Sequence, residues 1–248
     1  MKISIITVCY QSGATLRQAI ESVLSQQDAD IEYIVVDGGS TDGTVAMLEG
    51  YGASISKWVS EPDKGIYDAM NKGLLMATGD LVGFLHADDL LAHPRIIAQM
   101  AQAADDLKAD VVYGDLVYVQ KENPHQVVRY WRSCAFEPKL LKRGWMPPHP
   151  TVYVRRHLYD TMGLFDLRFR IAADYDLMLR LFRAPGLKTV YLPQVMVRMR
   201  VGGASNRSLK NIIRKSKEDY QALRKNHVGG IVALMVKNLS KVGQFFKR

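Results

Sequence analysis

Short apolar runs alternate with helix-like segments through the first 113 residues, and this alternation restricts the fold more than any other feature of the chain. The first run, Ile3–Val8, is mostly β-branched, as in a strand buried on both faces. Apolar residues at helical spacing follow from Ala14 to Gln26. The pattern then repeats, with predicted strands at residues 32–36, 55–59, 81–85 and 110–113 and predicted helices at residues 44–51, 66–77 and 94–104. Such alternation predicts an α/β fold with a mostly parallel sheet covered on both faces.

The second half of the chain is less regular. Prolines interrupt residues 115–150, after which we predict a helix at 174–182 and a strand at 190–199. Two further helices are predicted at residues 206–225 and 231–247. With 248 residues, 48% of them hydrophobic and 23% charged, the chain suits one large globular domain, alone or with an appended segment. This composition excludes disordered, collagen-like and disulfide-stapled classes.

The positive charge is concentrated in the last 43 residues. Residues 206–248 hold 11 Lys and Arg against 2 Asp and Glu, a net charge of +9, while residues 1–205 sum to −1. In the helix at 231–247, spacing places Ile231, Val232, Met235, Leu239, Val242 and Phe246 on one face and Lys237, Lys241, Lys247 and Arg248 on the other. Either the helix packs on the body with a solvated basic face, or it lies on an anionic membrane surface.

We favour membrane contact for residues 231–247 and packing on the body for residues 206–225. Nucleic acid is the less favoured anionic partner, because no RNA-recognition pattern or basic sheet with interspersed aromatic residues is present. A homo-oligomer is left open as a further means of covering the apolar face.

The sequence features that report on location favour the cytoplasm. The chain has two cysteines, Cys9 and Cys134, and Cys9 lies in an apolar run, which favours a reducing compartment. The first ten residues do not resemble a secretory signal, and no stretch of about 18 uninterrupted apolar residues predicts a spanning helix. We therefore expect a cytoplasmic protein, held peripherally on the inner face of the plasma membrane.

Polar residues cluster where the first two predicted strands end, at the edge where open α/β sheets bind ligands. Thr7 and Cys9 end the first strand, and Asp37 begins the run DGGSTDGT after the second. The Asp37 carboxylate is suited to accept a hydrogen bond from a nucleobase N–H. The alternative is an ordinary turn followed by a helix that Asp42 or Thr44 caps.

A second cluster, HADD at residues 86–89, follows the predicted strand at 81–85. The adjacent carboxylates of Asp88 and Asp89 repel each other unless a cation or solvent compensates. Mg²⁺ and Mn²⁺ prefer oxygen ligands, and a few carboxylates often hold Mg²⁺ against substrate phosphates. The alternative is an aspartate that caps the helix beginning near Pro94.

The sequence resembles glycosyltransferase family 2, and one long motif resembles its bacterial polysaccharide-assembly branch. The resemblance covers about residues 1–205 and rests on SIITV at 4–8, VDGGSTDGT at 36–44 and SEPDKGIYDAMNKG at 60–73. It implies the GT-A fold, a Rossmann-like three-layer sandwich. Residues 1–110 would form the nucleotide-sugar-binding half, residues 111–205 the acceptor-binding and catalytic half, and residues 206–248 a basic helical tail.

The resemblance also implies roles for individual residues on the donor side. Asp37 contacts the nucleobase, and Asp68 lies in the segment that lines the donor pocket. Asp88 faces the ribose or the metal, and Asp89 is the main metal ligand. His86 stands where the family often has Asn or Asp, so we interpret it as a supporting residue rather than a nucleotide contact.

The segment IAADYDLMLRL at 171–181 resembles the acidic motif that carries the family's catalytic base. Ala173 replaces the first acidic residue of that motif and Asp174 keeps the second. A carboxylate within hydrogen-bond reach can take the proton of an acceptor hydroxyl, which predicts Asp174 as general base. The alternative role for Asp174 is the N-cap of the helix. Asp176 cannot share a helix face with Asp174, so a hydrolase-type carboxylate pair is disfavoured.

Two residues are expected on the acceptor side. His149 lies in the rigid segment PPHPT at 147–151, and Trp145 could stack on a sugar face. The alternatives are an exposed loop histidine and an aromatic residue that is partly in the core. The loop VGGAS at 201–205 resembles a segment that closes over the pyrophosphate.

Taken together, the resemblance and the motifs predict an inverting transferase that depends on Mg²⁺ or Mn²⁺. The donor is a nucleotide-diphosphate sugar, with a UDP-sugar favoured because Asp37 fits the uracil N–H. The acceptor is a glycan or a lipid-linked glycan in cell-surface polysaccharide synthesis. The rival functions are a nucleotidyltransferase acting on sugar phosphates and an inactive protein that only binds nucleotide sugars.

Overall fold

The computed structural model describes residues 1–202 and 209–242, and within them the backbone forms one mixed sheet. Its strands are β1 (Lys2–Cys9), β2 (Asp30–Asp37), β3 (Lys57–Ser60), β4 (Leu81–Phe84), β5 (Leu90–Leu91), β6 (Val111–Val119), β7 (Val127–Trp131), β8 (Tyr153–Arg155) and β9 (Thr189–Arg200). The helices are α1 (Gly13–Leu24), α2 (Thr44–Tyr51), α3 (Ile66–Met76), α4 (Ile96–Asp106), α5 (Pro138–Leu141), α6 (Arg156–Met162), α7 (Ala173–Phe182), α8 (Leu209–Lys225) and α9 (Ile231–Val242). Short 3₁₀ turns occupy Gly52–Ser54 and His149–Thr151.

The sheet has the order β3-β2-β1-β4-β8-β6-β9-β5. Strand β8 pairs with the start of β6, and β7 pairs with the end of β6. Strands β3, β2, β1 and β4 are mutually parallel, as the alternation of strands and helices predicts. The other half is mixed, since β8 runs antiparallel to both of its neighbours while β6 and β9 are parallel. The parallel half therefore brings the carboxyl ends of β1, β2 and β4 to one edge.

Helices cover both faces of the sheet, which confirms the predicted layered α/β fold. One apolar core lies between the sheet and helices α3, α6, α7 and α8, and the other lies between the sheet and helices α1, α2 and α4. At Gly73, an added Cβ would lie 2.4 Å from the Ile6 side chain. Glycine therefore lets α3 lie directly against β1.

The predicted elements of the first half are present, with boundaries shifted by a few residues. Helix α4 begins at Ile96, two residues after the expected start at Pro94. The region interpreted as irregular, residues 115–150, contains the end of β6 and its antiparallel partner β7. β7 is hard to recognise because it lies at an edge, with exposed apolar residues such as Val127 and Val128.

The two C-terminal helices are present, and the structure decides between the two placements considered for the second of them. Lys237, expected on a solvated face if the helix packed on the body, is buried and lies 2.8 Å from a carboxylate oxygen of Asp219. The alternative of packing with a solvated basic face is therefore wrong, and the apolar face points outward, as Val232 and Leu239 are each 69% exposed. The physical reason is the buried ion pair, because it fixes which side of α9 meets the body. The favoured membrane contact stays a prediction. Residues 243–247 of the predicted helix lie outside the described residues.

Within residues 1–202 and 209–242, the structure contains no helix that is both long and apolar enough to span a bilayer.

Candidate functional site

The ends of the first three strands of the chain form a continuous ledge. In the sheet register Cys9 pairs with Asp37, and Asp37 pairs with Ser60. The three side chains therefore follow one another across the edge. The loops that leave these strands, at residues 10–13, 38–43 and 61–65, border the same ledge.

Asp37 organises the turn that follows β2. Its carboxylate accepts hydrogen bonds from the backbone N–H groups of Gly39 (3.1 Å) and Ser40 (2.8 Å) and from the hydroxyls of Ser40 and Ser60 (2.7 Å for Ser60). Burial works to raise the pKa of Asp37, but these hydrogen bonds outweigh it and hold the pKa below its usual value. The acceptor atoms are thus occupied by protein donors, and direct contact with a nucleobase stays a prediction.

Thr7 and Cys9 lie in the last three residues of β1. Thr7 is fully buried and its hydroxyl accepts a hydrogen bond from the Tyr33 hydroxyl at 3.0 Å. The Cys9 thiol lies 3.5 Å from the Asp37 carboxylate, and burial followed by that negative charge raises the pKa of Cys9 far above its usual value. The structure thus gives both residues internal partners, and their roles as donor contacts remain untested predictions.

Asp68 holds the loop that enters α3. Its carboxylate accepts a hydrogen bond from the backbone N–H of Lys64 at 3.0 Å, and Asp63 accepts one from the N–H of Gly65 at 2.7 Å. The same loop packs against the turn after β2, since a Cβ added at Gly38 would lie 2.4 Å from the Asp63 carboxylate. Glycine is therefore required at residue 38 for this approach, which joins two of the motifs recognised in the sequence.

Asp88 and Asp89 follow β4 but occupy different environments. Asp88 is half-buried, whereas Asp89 is 0% exposed and, within the described residues, neither of its carboxylate oxygens has a hydrogen bond of good geometry. Burial, and then the charge of Asp88, raises the pKa of Asp89 well above its usual value, and the backbone N–H and charge of Arg200 oppose this only in part. A buried carboxylate so weakly compensated is costly, so this residue needs a further cation or a proton.

The pair Asp88 and Asp89 fits a divalent cation in its chemistry. Among residues 1–202 and 209–242, no three His, Cys, Asp or Glu side chains are grouped so as to hold a metal ion. Mg²⁺, however, is commonly held by one or two carboxylates together with substrate phosphates and water. The two adjacent carboxylates, one of them buried and weakly compensated, meet that requirement.

Asp174 lies in the first turn of α7, facing α3. Its Oδ1 atom accepts a hydrogen bond from the backbone N–H of Tyr175 at 2.8 Å and lies 3.1 Å from the Tyr67 hydroxyl. The N-cap of α7 is Ala172, so the capping role considered for Asp174 is wrong. Asp176 is buried and paired with Arg180 and Lys225, which gives it a structural role.

Two histidines lie close to Asp174. The rings of His86 and His149 are 6.1 Å apart between centroids, and Phe84 stacks on His149. Burial lowers the pKa of both histidines, to about 4 for His149, while the Asp174 charge acts in the opposite direction on each. His86 also feels the charge of Asp88, and its buried Nδ1 atom has no hydrogen-bond partner in the described part of the chain.

A chain of contacts links Asp174 to the two histidines. The Tyr67 hydroxyl lies 3.1 Å from Asp174, the Tyr67 ring stacks on Phe165, and the Phe165 ring meets His149 edge-on. Since His149 lies beside His86, these contacts join the HADD segment to the base candidate of the second half. The 7% exposure of His149 rules out the exposed loop histidine considered as the alternative, and its acceptor role stays a prediction.

Trp145 lies in an aromatic cluster. Its ring stacks on Phe136 at 5.7 Å and meets the rings of Tyr113 and Phe182 edge-on at 5.9 Å and 5.6 Å. These contacts favour the partial-core alternative, and stacking of Trp145 on a sugar stays a prediction.

Glu218 is a residue that the sequence patterns did not reveal. From α8 it accepts hydrogen bonds from three consecutive backbone N–H groups, those of Arg170 (3.0 Å), Ile171 (2.8 Å) and Ala172 (3.1 Å). The Ile171 carbonyl in turn accepts the Tyr67 hydroxyl at 2.7 Å. Glu218 therefore fixes the segment that leads into Asp174. The only signal was a glutamate in an otherwise basic stretch.

Arg200, at the end of β9, was also missed. Its buried guanidinium donates to the carbonyl oxygens of Asp88 (2.6 Å) and Lys121 (3.0 Å) and to the side chain of Gln18. It thereby holds the backbone of the HADD segment. The predicted closing loop at 201–205 begins directly after Arg200, and its residues 203–205 lie outside the described residues.

Comparison with known proteins gives a consistent result. Residues 4–164 match the model of the family described as glycosyl transferase family 2. A PGL/p-HBAD biosynthesis glycosyltransferase of Mycobacterium tuberculosis is 33% identical over 208 residues, covering 82% of this chain and 78% of the relative.

Two kinds of solved structure share the fold. S. aureus TarS in complex with UDP-GlcNAc has a TM-score of 0.70 at 19% identity, covering 92% of this chain and 66% of that one. The mannosyltransferase PcManGT from Pyrobaculum calidifontis, in complex with GDP-Man and Mn²⁺, has a TM-score of 0.67 at 19% identity, covering 95% and 68%. This chain spans only 39% of a longer TarS chain. At these identities the likeness establishes the GT-A fold.

Proposed function

The chain belongs to glycosyl transferase family 2, and from that membership we propose that it transfers a sugar, with inversion, from a nucleotide-diphosphate sugar to a hydroxyl group. The acceptor is a glycan or lipid-linked glycan in cell-surface polysaccharide synthesis. The observation that carries the proposal is the chain of contacts from Asp174 through Tyr67 and Phe165 to His149 and His86, because it brings a base candidate near the HADD segment, whose carboxylates suit the metal bound to a donor's diphosphate.

Asp174 acts as the general base. Within the described residues both of its hydrogen bonds are accepted by Oδ1, which leaves Oδ2 for the acceptor hydroxyl. The first turn of α7 stabilises the negative charge of the carboxylate. Tyr67 and the clamp from Glu218 hold the carboxylate in place, so that the proton moves from the acceptor oxygen to Oδ2 as that oxygen attacks the anomeric carbon.

Asp88 and Asp89 would hold Mg²⁺ or Mn²⁺, which when bound neutralises the negative charge of the leaving diphosphate. The Mn²⁺ in the mannosyltransferase complex supports this choice of cation. Arg200 positions the backbone of this segment through the Asp88 carbonyl. His149 remains neutral near pH 7 because burial lowers its pKa to about 4, so it presents a polar ring to the acceptor without adding charge.

A UDP-sugar is the proposed donor. Support comes from the UDP-GlcNAc bound by TarS, while the contact of Asp37 with a uracil N–H stays a prediction. GDP-Man, bound by the mannosyltransferase, is the alternative. Family membership argues against the alternative of a nucleotidyltransferase. The experiment below distinguishes an active transferase from a protein that only binds nucleotide sugars.

The test is a panel of UDP-, GDP- and dTDP-sugars with Mn²⁺, read first by thermal unfolding and then by release of the free nucleotide. We expect a UDP-sugar at 100 times its dissociation constant to raise the free energy of unfolding by about 2.7 kcal/mol. The same UDP-sugar should be hydrolysed slowly, or its sugar should be transferred to an added acceptor. Stabilisation without turnover would point to the inactive binder, and stabilisation by GDP-sugars alone would overturn the UDP assignment.

Replacing Glu218 by alanine is expected to lower turnover while leaving the dissociation constant of the donor unchanged. Three backbone N–H groups would lose their acceptor, at a cost of about 1–3 kcal/mol in the free energy of unfolding. Rates and donor affinity should be measured well below the unfolding temperature of the variant.

Glu218→Gln, which keeps an acceptor oxygen, should recover much of the lost turnover, and Lys217→Ala, at an exposed position on the same helix, is the matched control. Equal turnover in Glu218→Ala and the parent chain would show that the clamp serves stability alone.

A lipid-linked acceptor would place the enzyme in the cytoplasm, peripherally on the inner face of the plasma membrane. Residues 231–247 are the proposed contact with anionic lipid, and the orientation of α9 leaves its apolar face free to make that contact.

A further inference from the structure

Helix α9 packs on the body through its polar side. Lys237 is buried, forms an ion pair with Asp219 at 2.8 Å, and lies 3.0 Å from the centroid of the Tyr175 ring. Ala233, one turn earlier, meets Gly144 so closely that a Cβ on the glycine would lie 2.6 Å from the Ala233 carbonyl oxygen. These contacts leave one orientation for α9, in which its apolar side faces outward.

Both C-terminal helices expose apolar side chains. On α9 they recur at the spacing of one helical face, and α8 adds three more exposed apolar residues. Together these residues are Ile212, Ile213, Tyr220, Ile231, Val232, Met235, Val236 and Leu239. We call these eight residues the outer face. An apolar surface of this size on a soluble protein marks an interaction site.

Cations accompany the outer face without exposed carboxylates. The two acidic residues of 206–248, Glu218 and Asp219, are both buried. Lys210, Arg214, Lys217 and Arg224 are exposed on α8. The charge that α8 and α9 present to solvent within the described residues is therefore wholly positive.

A cavity of about 460 Å³ opens where α8 joins α9. Its walls include the apolar side chains of Leu141 and Val228, and the cations Lys142 and Arg183 lie beside them. Arg183 donates to the Asn226 carbonyl oxygen, which keeps its guanidinium at this site. Apolar walls next to fixed cations suit a phosphate group that carries hydrocarbon chains.

We infer that the outer face and this cavity together dock the protein on an anionic phospholipid bilayer, with the cavity receiving a lipid phosphate. The outer face enters the boundary between headgroups and acyl chains, and the exposed cations meet the anionic headgroups. A second copy of the chain is the less suitable occupant, because it would bring two positively charged surfaces together. The inference specifies the surface behind the proposed membrane contact and does not depend on the donor chemistry.

Co-sedimentation of the full chain with vesicles tests the inference, in the absence of donor. We expect binding to mixed phosphatidylglycerol and phosphatidylcholine vesicles, weaker binding as salt rises, and little binding to phosphatidylcholine alone. Val232→Glu should lower the affinity for the mixed vesicles at least about tenfold, because it places a carboxylate on the outer face. Leu107→Glu makes the same change at an exposed position at the end of α4 and should leave binding unchanged.

A second pair of variants tests the cavity and decides the matter if Val232→Glu does not fold. Lys142→Ala should weaken binding to the mixed vesicles, whereas Lys108→Ala, at another exposed position, should not. The inference is overturned if the parent chain ignores mixed vesicles at low salt. It is also overturned if sedimentation velocity shows a dimer that Val232→Glu converts to monomers. Nucleotide-sugar binding is measured separately in solution, so a failure of either proposal is recognised independently.

Discussion

Asp174→Asn is expected to lower the rate of sugar transfer by about 10²–10⁴-fold, the usual contribution of a general base. The asparagine keeps the size of the side chain and an oxygen to accept the hydrogen bonds from Tyr175 and Tyr67, but it cannot take the acceptor proton. Donor affinity should therefore stay unchanged. Initial rates with a saturating donor, together with calorimetric titration of the nucleotide sugar, measure the two quantities separately.

Asp160→Asn, an exposed position on α6, is the matched control for the change in charge. Should donor affinity and transfer fall together in Asp174→Asn, the residue would be a donor ligand or a structural element rather than the base.

Asp89→Asn is expected to abolish most transfer while leaving the metal-free protein at least as stable as the parent. The reason lies in its environment, since the carboxylate is fully buried and, in the described part of the chain, has no hydrogen bond of good geometry. Burial raises the pKa of Asp89 in the folded state, so the folded protein binds more protons than the unfolded chain. The contribution of Asp89 to stability therefore falls as pH rises from the unfolded pKa of about 3.9 towards the higher folded value. Asparagine at residue 89 stays neutral, so the free energy of unfolding does not fall with pH at this residue.

Thermal unfolding near pH 7, in EDTA and then in Mn²⁺ with nucleotide, gives the decisive comparison. In EDTA the unfolding temperature of Asp89→Asn should equal or exceed that of the parent chain. The further increase that Mn²⁺ and nucleotide give to the parent should be absent. Asp160→Asn should behave as the parent in both conditions, and a full Mn²⁺ response in Asp89→Asn would remove the residue from the metal site.

The parts of the site that sequence could predict are those set by local rules. Alternation of strands and helices locates Asp37 and Asp88 at strand ends, and helical spacing locates Asp174 at the start of α7. The environment of each carboxylate did not follow, because it depends on contacts between distant segments. The Asp37 carboxylate accepts a hydrogen bond from Ser60, 23 residues away, and the Asp89 carboxylate is buried with no hydrogen bond of good geometry to any described residue. Both facts require the tertiary structure.

The same limit explains why the sequence left two placements open for α9. The hydrophobic pattern of a single helix identifies its two faces, but the choice of the buried face depends on what the body offers. Here the body offers Asp219 and the Tyr175 ring, and Lys237 binds to both. A buried ion pair with an aromatic partner therefore decides the packing against the ordinary rule that apolar faces turn inward.

The clamp from Glu218 has a consequence for how this enzyme can be recombined with its relatives. The region matched to the family ends at residue 164, but Asp174 and the helix that fixes its approach lie beyond it. A chimera joined at residue 164 would keep the loops after β1, β2 and β3 from one parent and take Asp174, the proposed base, with its clamp from the other. Tyr67 is one of several residues whose contacts cross this seam, since it reaches both Ile171 and Asp174. A chimera without a tyrosine at residue 67 would therefore lose both of these hydrogen bonds to the segment that carries the proposed base.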